Sequence, residues 1–307
     1  MKNIPTVVFG LGRIGMLYGL EKKRIQPASH IKSILKNKNF DLIGVCDPSS
    51  KYTKKFEDEY GEICDIFDSH IKLLQFFKEH KIIPQLFVIA TPENTHFKII
   101  QDILKFFKFS MKKSIIFCEK PLTKNIENAN KIKKMINNSN FELVVNHTRR
   151  WNKIWNLCNV NLKKIGKIQG ANFFFSTSPE NKSRNQLRDG IHIADLINWF
   201  DIKNEIHVKR LFLPYFVYDF YIWGEKGKIE VLNNGQILNL YKKVKSKRYE
   251  GFFELDLHTK TDMNNSELEN AYIEFSRFLN KKNVNLSTNL IDGIEAMKTF
   301  YTQVNQK

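Results

Sequence analysis

Cysteine is scarce in this chain, four in 307 residues, and no Cys-x-x-Cys pair or histidine at ligand spacing accompanies any of them. That excludes a disulfide framework and a zinc site, and no metal is expected. Cys46, Cys64, Cys118 and Cys158 mostly fall in strand-like or helix-like runs, as small core residues do in a reducing compartment. No apolar run approaches the ~20 residues that cross a bilayer, and no signal-peptide pattern precedes the first strand-like run. A cytoplasmic protein with no membrane partner is therefore expected. Linkers rich in proline, glycine and serine are lacking, as are repeats at solenoid periods, which leaves two sizeable cores as the expected organisation. Acidic residues are few, 32 against 49 Lys and Arg, for a formal net charge of +17. The lysines are scattered as pairs, so nucleic acid is not expected as a partner, and the charge serves at most to attract anionic small molecules.

What is present begins at the N-terminus. Thr6-Val7-Val8-Phe9 is a short apolar run that leads into Gly10-Leu11-Gly12-Arg13-Ile14-Gly15, and the spacing predicts a helix from there to about Lys23. A dinucleotide pyrophosphate requires this order. The first glycine permits the tight turn, the second lets backbone approach the phosphates, and the third lets helix pack on strand. Phe40 to Cys46 reads as a second buried strand with Asp47 at its end, where a carboxylate accepts hydrogen bonds from ribose hydroxyls. A negative charge there favours NAD over NADP. Asp47 lies 32 positions after Gly15 rather than the usual ~20, and Pro27-Ala28-Ser29-His30 before Ile31, Ile34 and Leu35 suggests an extra helix in the gap.

Two more strand ends carry polar groups. Gln85 to Ala90 is an apolar run closing on Thr91-Pro92-Glu93-Asn94-Thr95-His96. Thr91, Pro92, Asn94 and His96 are candidates to line the cofactor crevice, with Asn94 or Thr95 also fit to cap the helix of Phe97 to Phe107. Ser114 to Cys118 runs into Glu119-Lys120-Pro121. The carboxyl ends of parallel strands border the ligand crevice, so the Lys120 amine is placed to donate a hydrogen bond or a proton to a substrate oxygen.

GLGRIG after the first strand, Asp47, ATPENTH and CEKPL, in that order, resemble the glucose–fructose oxidoreductase/inositol dehydrogenase/MocA (Gfo/Idh/MocA) family of NAD(P)-dependent dehydrogenases. The resemblance continues through Asn146 to Trp151, Asp189-Gly190-Ile191-His192-Ile193-Ala194-Asp195 and Asp292-Gly293-Ile294-Glu295-Ala296, and so covers nearly the whole chain. It implies a doubly wound parallel Rossmann domain over residues 1–147. It also implies a C-terminal α+β domain over 148–307 with an open, mainly antiparallel sheet that mediates homodimer or homotetramer formation, the last helices packing back toward the first domain. Gly10, Gly12, Arg13, Ile14, Gly15, Asp47, Thr91, Pro92, Asn94, His96, Glu119 and Lys120 would contact NAD. Substrate would lie between the domains, facing the residues that match the family's lysine and histidine, Lys120 and His192. The implied reaction is hydride transfer at a secondary alcohol or ketone carbon of a sugar, sugar acid, cyclitol or nucleotide-linked sugar. The alternative is a non-catalytic sensor of dinucleotide and sugar.

A helix opening at Asp189 would put Ile193, Leu196, Ile197 and Phe200 on one apolar stripe, with His192, Asp195 and Trp199 on the adjoining face. A carboxylate three residues from His192 suits a general base. Asp189 would be the N-cap. Many family members carry aspartate four residues before the histidine; here that position is Arg188 and Asp189 follows it. Arg149 and Arg150, after the strand-like run ending at Asn146, would either clamp an anionic substrate or tie domains together, and with Asp189 and Asp195 they complete the candidate substrate contacts.

Beyond residue 150 the rhythm changes. Ile168 to Ser176, Tyr215 to Trp223, Lys228 to Leu232 and Gln236 to Tyr241 read as strands joined by tight turns, with Asn234-Gly235 as a hairpin signal. Helices are predicted over 266–279, capped by Ser266 with Glu269 three residues on, and over 289–302. Substrate choice would reside in the loop 178–188 and in the strand edges of the second domain.

Overall fold

The computed structural model describes residues 3–177, 186–264, 266–280 and 283–304. Two compact units divide it: Met1–Thr148 with Ser266–Met297, and Arg149–Asn265 with Lys298–Lys307. The second segment of the first unit is thus contributed from beyond the second unit in sequence.

In the first unit β1 (Ile4–Phe9), β2 (Phe40–Cys46), β3 (Asp65–Phe67), β4 (Leu86–Ile89), β5 (Ser114–Cys118) and β6 (Phe141–Val145) form an all-parallel sheet in the order β3-β2-β1-β4-β5-β6. Every residue of β4 and β5 is buried, because helices cover both faces of such a sheet and no side chain of a central strand reaches water. The strand order reverses at β1 and β4, which places the ligand crevice of this unit at their carboxyl ends. The connecting helices are α1 (His30–Lys36), α2 (Ser50–Tyr60), α3 (His70–Glu79), α4 (Glu93–Phe107) and α5 (Ile126–Ile136).

The region after the glycines departs from the predicted helix. Residues 13–16 are turns, Leu17–Leu20 form a 3₁₀ segment, and no α-helix occurs before His30. The backbone explains the long gap to Asp47. The carbonyls of Ile14 and Gly15 are taken by the amides of His30 and Ile31, at 3.0 Å each. In an unbroken α-helix residues 18 and 19 would take them. The glycine-loop helix and the suggested extra helix are therefore one helix, split by an excursion of twelve residues. Removing those twelve restores a spacing of twenty from Gly15 to Asp47. The excursion is exposed from Glu21 to Gln26 and folds on itself: Arg24 lies over the Tyr18 ring, 3.7 Å to the centroid, and Gln26 donates to the carbonyls of Tyr18 and Glu21.

The second unit holds α6 (Lys153–Asn161), α7 (Gln186–Trp199) and a sheet of β7 (Ile168–Thr177), β8 (Glu205–Phe212), β9 (Tyr218–Gly224), β10 (Gly227–Leu232), β11 (Ile237–Lys245) and β12 (Phe253–Asp262). Its order is β12-β11-β10-β9-β7-β8, antiparallel except for β7 and β8, which α7 connects as a crossover. Asn233, Asn234 and Gly235 all adopt positive φ in the β10–β11 hairpin, as the Asn-Gly signal requires. Trp155 of α6, Phe173, Phe200 and Phe220 anchor the core, Phe173 and Phe220 stacking at 4.0 Å. The predicted stripe on α7 is present, with Ile193, Leu196, Ile197 and Phe200 all buried in this core.

The chain then returns to the first unit with α8 (Glu267–Leu279), capped by Ser266 whose hydroxyl accepts from the Glu269 amide, and α9 (Leu290–Thr299), followed by a π-helical turn, Phe300–Val304. Phe275 of α8 packs edge-on to Phe117 of β5 at 4.7 Å, and Tyr272 edge-on to Phe40 of β2 at 5.4 Å. Among the described residues no helix is long and apolar enough to cross a membrane.

Candidate dinucleotide site and its supports

The glycine loop is shaped by what its missing side chains would strike. Gly10 has φ +95°, and a Cβ there would lie 2.8 Å from the Ala90 carbonyl oxygen; at Gly15 it would lie 2.1 Å from the Gly10 carbonyl oxygen. Gly12 differs, since a Cβ there would meet nothing within 4 Å. Its bare face looks into open space, the one position of the three where only a bound group would feel a methyl. Among the described residues, the amides of Gly12, Arg13, Ile14 and Gly15 have no protein acceptor; Met16 is the first to find one, the Gly12 carbonyl. A run of unused N–H groups at the crevice end of β1 suits the oxygens of a pyrophosphate, even though the helix behind them is broken. These residues fit a dinucleotide.

Asp47 is 8% exposed and already engaged. Its Oδ2 accepts from the Leu11 amide at 2.8 Å and its Oδ1 from the Ser49 amide at 2.9 Å. Each oxygen keeps a second lone pair, so holding the glycine loop and accepting a ribose hydroxyl are compatible.

At the end of β4, Thr91 is half-buried and its Oγ1 accepts from the Thr95 hydroxyl at 2.7 Å, while Pro92 and Asn94 are exposed. The helix begins earlier than predicted, at Glu93 with Pro92 in the N-cap position, so Asn94 and Thr95 lie inside it and cap nothing. His96 does not line a surface. It is 1% exposed, with Nε2 2.8 Å from the Thr91 carbonyl oxygen and Nδ1 3.1 Å from that of Pro121. Burial holds its pKa below the usual imidazole value, although these carbonyls pull the other way. The ring braces the β4 end against the β5 end from behind the crevice wall.

Glu119 is the centre of a buried polar network that no sequence spacing announced. The Asn146 amide and His30 Nε2–H both donate to its Oε1, the latter at 3.0 Å, and the Tyr272 hydroxyl donates to His30 Nδ1 at 3.0 Å. Burial alone would raise the Glu119 pKa, but these hydrogen bonds, with the nearby charge of Lys120, carry it below the usual carboxylate value. Burial and the Glu119 charge push the Tyr272 phenol well up, so it remains a donor. Four elements, α1, β5, the β6 end and α8, thus meet on one carboxylate, and Lys120, half-buried, is the next residue along.

In the second unit His192 is half-buried on α7. Asp195 is bound by Arg150, which donates from Nη2 to Oδ1 at 2.8 Å and from Nε to both oxygens at 3.1 and 3.3 Å. Both partners are buried, and the Arg150 guanidinium also lies 5.5 Å from the Trp199 ring. Arg149 lies over the Tyr218 ring at 4.0 Å and donates to Asn234 Oδ1 at 3.2 Å. These arginines therefore tie α7 and the β10–β11 turn to the start of this unit; as a clamp for substrate Arg150 is already occupied. Asp189 is the fourth residue of α7 and not its N-cap, since the helix runs from Gln186. The side chains of Arg188 and Asp189, and residues 178–185 of the expected specificity loop, lie outside the described residues.

Two glycines of the recurring motifs have packing reasons. A Cβ on Gly190 would lie 2.6 Å from the Phe300 ring, and one on Gly293 2.5 Å from Val145 Cγ2. Burial raises the thiol pKa of all four cysteines, Cys64 to about 12, so none is an activated nucleophile. No cluster of potential metal ligands occurs among the described residues.

Residues 4–147 match the model of the GFO_IDH_MocA family, described as "Oxidoreductase family, NAD-binding Rossmann fold". No curated protein sequence matches the chain. Among solved structures, the WlbA dehydrogenase from Bordetella pertussis in complex with NADH and UDP-GlcNAcA is similar, with TM-score 0.69, 15% identity, and 96% of this chain and 94% of that one covered. UDP-N-acetylglucosamine 3-dehydrogenase GnnA from Acidithiobacillus ferrooxidans gives 0.72, 15%, 99% and 98%. A super-repressor mutant of Gal80p from Saccharomyces cerevisiae gives 0.74, 12%, 98% and 94%. At these identities the likeness is one of fold.

Gly12→Ala is expected to leave thermal stability unchanged and to weaken NADH binding at least about tenfold, whereas Gly15→Ala destabilises the fold itself. Melting curves together with NADH fluorescence titration separate the two; equal loss of stability in both would refute the assignment of Gly12 to the ligand face. A carboxyl held below its ordinary pKa stabilises the fold above its unfolded value, about 4.3, and that contribution is lost as pH falls through the folded value. Urea midpoints should therefore fall on acidification below about pH 4.5, and less steeply in Glu119→Gln.

Proposed function

We propose that this protein is an NAD-dependent oxidoreductase acting at a secondary alcohol or ketone carbon of a sugar-type substrate, a nucleotide-linked sugar of surface polysaccharide assembly foremost. The observation that carries the reading is the open face of Gly12 with its run of unused amides, on the same sheet edge as Lys120. A bound nicotinamide supplies the hydride-accepting ring carbon. Lys120 donates a hydrogen bond to the substrate oxygen and stabilises the alkoxide as it develops. His192 takes the proton of that hydroxyl as general base. Arg13 and Ile14 offer their amides to the pyrophosphate, and Asp47 accepts from a ribose hydroxyl while repelling a 2′-phosphate, which favours NAD over NADP. The nucleotide-sugar class is supported by WlbA, a dehydrogenase in complex with NADH and UDP-GlcNAcA, and by GnnA, a UDP-N-acetylglucosamine 3-dehydrogenase. The likeness to Gal80p, described as a super-repressor, supports a second reading, a sensor that binds dinucleotide and sugar without turnover.

We also infer that a second copy of the chain covers the open face of the second sheet. Opposite its core that face carries Phe174, Tyr221 and Trp223, the last two stacked at 6.1 Å. Beside them Glu230 accepts from Lys228, Asn239 and Tyr241. Aromatic groups around a satisfied, half-covered charge cluster are the composition of an interface core.

A panel of UDP-, GDP- and CMP-sugars, inositols and free aldoses, followed by NADH absorbance, tests the activity. Lys120→Met is expected to lower turnover at least about a hundredfold with NADH affinity within about twofold. Ligand-induced stabilisation without any change in NADH would favour the sensor, and a Lys120→Met enzyme of unchanged rate would remove the lysine from the chemistry. Sedimentation velocity is expected to show a dimer or tetramer that Trp223→Arg dissociates; a monomeric parent chain would defeat the pairing proposed here.

A further inference from the structure

The edge of the parallel sheet opposite the glycine loop carries a basic, apolar promontory that none of the chemistry above uses. It is built from the α3–β4 and α4–β5 connections. Phe109 and Met111 are each 91% exposed, far beyond the other exposed apolar side chains, and Ile82 from the neighbouring connection is 40% exposed. The tip is held in shape: the Ser110 amide donates to the Phe107 carbonyl at 2.8 Å, the Ser110 carbonyl accepts from Asn140, and the Ser110 hydroxyl accepts from the Lys112 amide at 3.2 Å. Pinning the serine between them leaves the two apolar side chains facing outward. A cavity of about 350 Å³, lined by Ile82, Lys81, Lys105 and Phe109, joins the two connections into one patch.

Charge surrounds the tip. Lys78, Lys81, Lys105, Lys108, Lys112 and Lys113 belong to these two connections and the last turns before them, against one acid, Glu79. Lys113 lies over the Phe278 ring, 3.3 Å from its centroid, and Lys78 over Phe106 at 5.3 Å, so their stems follow apolar surface.

We propose that this edge docks the protein on an anionic lipid bilayer, with Phe109 and Met111 entering the headgroup region and the lysines meeting lipid phosphates. Two adjacent apolar side chains that project from a convex, lysine-ringed tip gain from a fluid interface that closes around them. A nucleic acid would leave both hydrated, and the patch lacks the arginines that bind phosphate and base bidentately. This departs from the expectation of no membrane partner, which rested on the lack of a membrane-spanning run and a signal-peptide pattern; peripheral docking needs neither. β5 begins just after this tip and ends at Glu119 and Lys120, about 15 Å away along the strand, so a docked protein keeps its dinucleotide edge turned away from the lipid.

The test is co-sedimentation of the purified full chain with phosphatidylcholine vesicles, with and without phosphatidylglycerol. Expected are binding only to the anionic vesicles, weakening with salt, and a drop of about tenfold or more in partitioning for Phe109→Ser/Met111→Ser, with melting temperature and NADH binding unchanged. No binding to anionic vesicles overturns the proposal, as does equal binding by the double variant. Tighter binding to RNA than to vesicles, or self-association abolished by the double variant in the absence of lipid, would assign the patch to another partner and likewise overturn it.

Discussion

One buried carboxylate organises the first unit. Glu119 follows β5, and the hydrogen bonds it accepts from His30 and Asn146 bring together a helix start, a strand end and, through Tyr272, α8, which the chain adds after the second unit. A charge in that position is costly unless every lone pair is answered, so the network either forms completely or destabilises the unit that contains it. Lys120 follows directly, so the backbone that carries the candidate reacting amine is anchored by this network. The crevice wall is braced in the same manner by His96, whose ring spans the ends of β4 and β5.

The second unit repeats the principle with an ion pair. Arg150 and Asp195 are both buried, and the geometry between them uses the planar fork of the guanidinium. Breaking such a pair from one side leaves an unanswered charge worth about 3–5 kcal/mol. The effect is to fix α7, and with it His192, against the 3₁₀ turn that opens that unit. In both units, then, the candidate chemical group is half-buried and close in sequence to a buried polar tie.

The interrupted glycine-loop helix shows how a long insertion is tolerated. Ile14 and Gly15 give their carbonyls to His30 and Ile31, so the helix register survives the twelve-residue excursion. The excursion leaves the helix after the third glycine, past the amides that face the open side of Gly12. The turn proposed to bind the pyrophosphate is therefore intact although the helix predicted to follow it is not.

Much was legible without coordinates. Buried strands announce themselves as continuous apolar runs, which is why β1, β2, β4, β5 and β6 were readable, and the Asn-Gly hairpin and the Ser266 cap are local chemistry. The three strands that escaped, β3, β8 and β12, are all sheet edges, where exposed and charged residues break the run. By itself the sequence determined the strand–glycine–acid order, the lysine at a strand end and the apolar stripe of α7, because each depends on residues near one another in the chain. Only the tertiary structure decided that His30, Tyr272 and Asn146 serve Glu119, that Asp195 belongs to Arg150, and that Lys78 and Lys81 join the patch of Phe109. Those partners are brought together by packing across tens to hundreds of residues, and no local periodicity encodes a contact of that range.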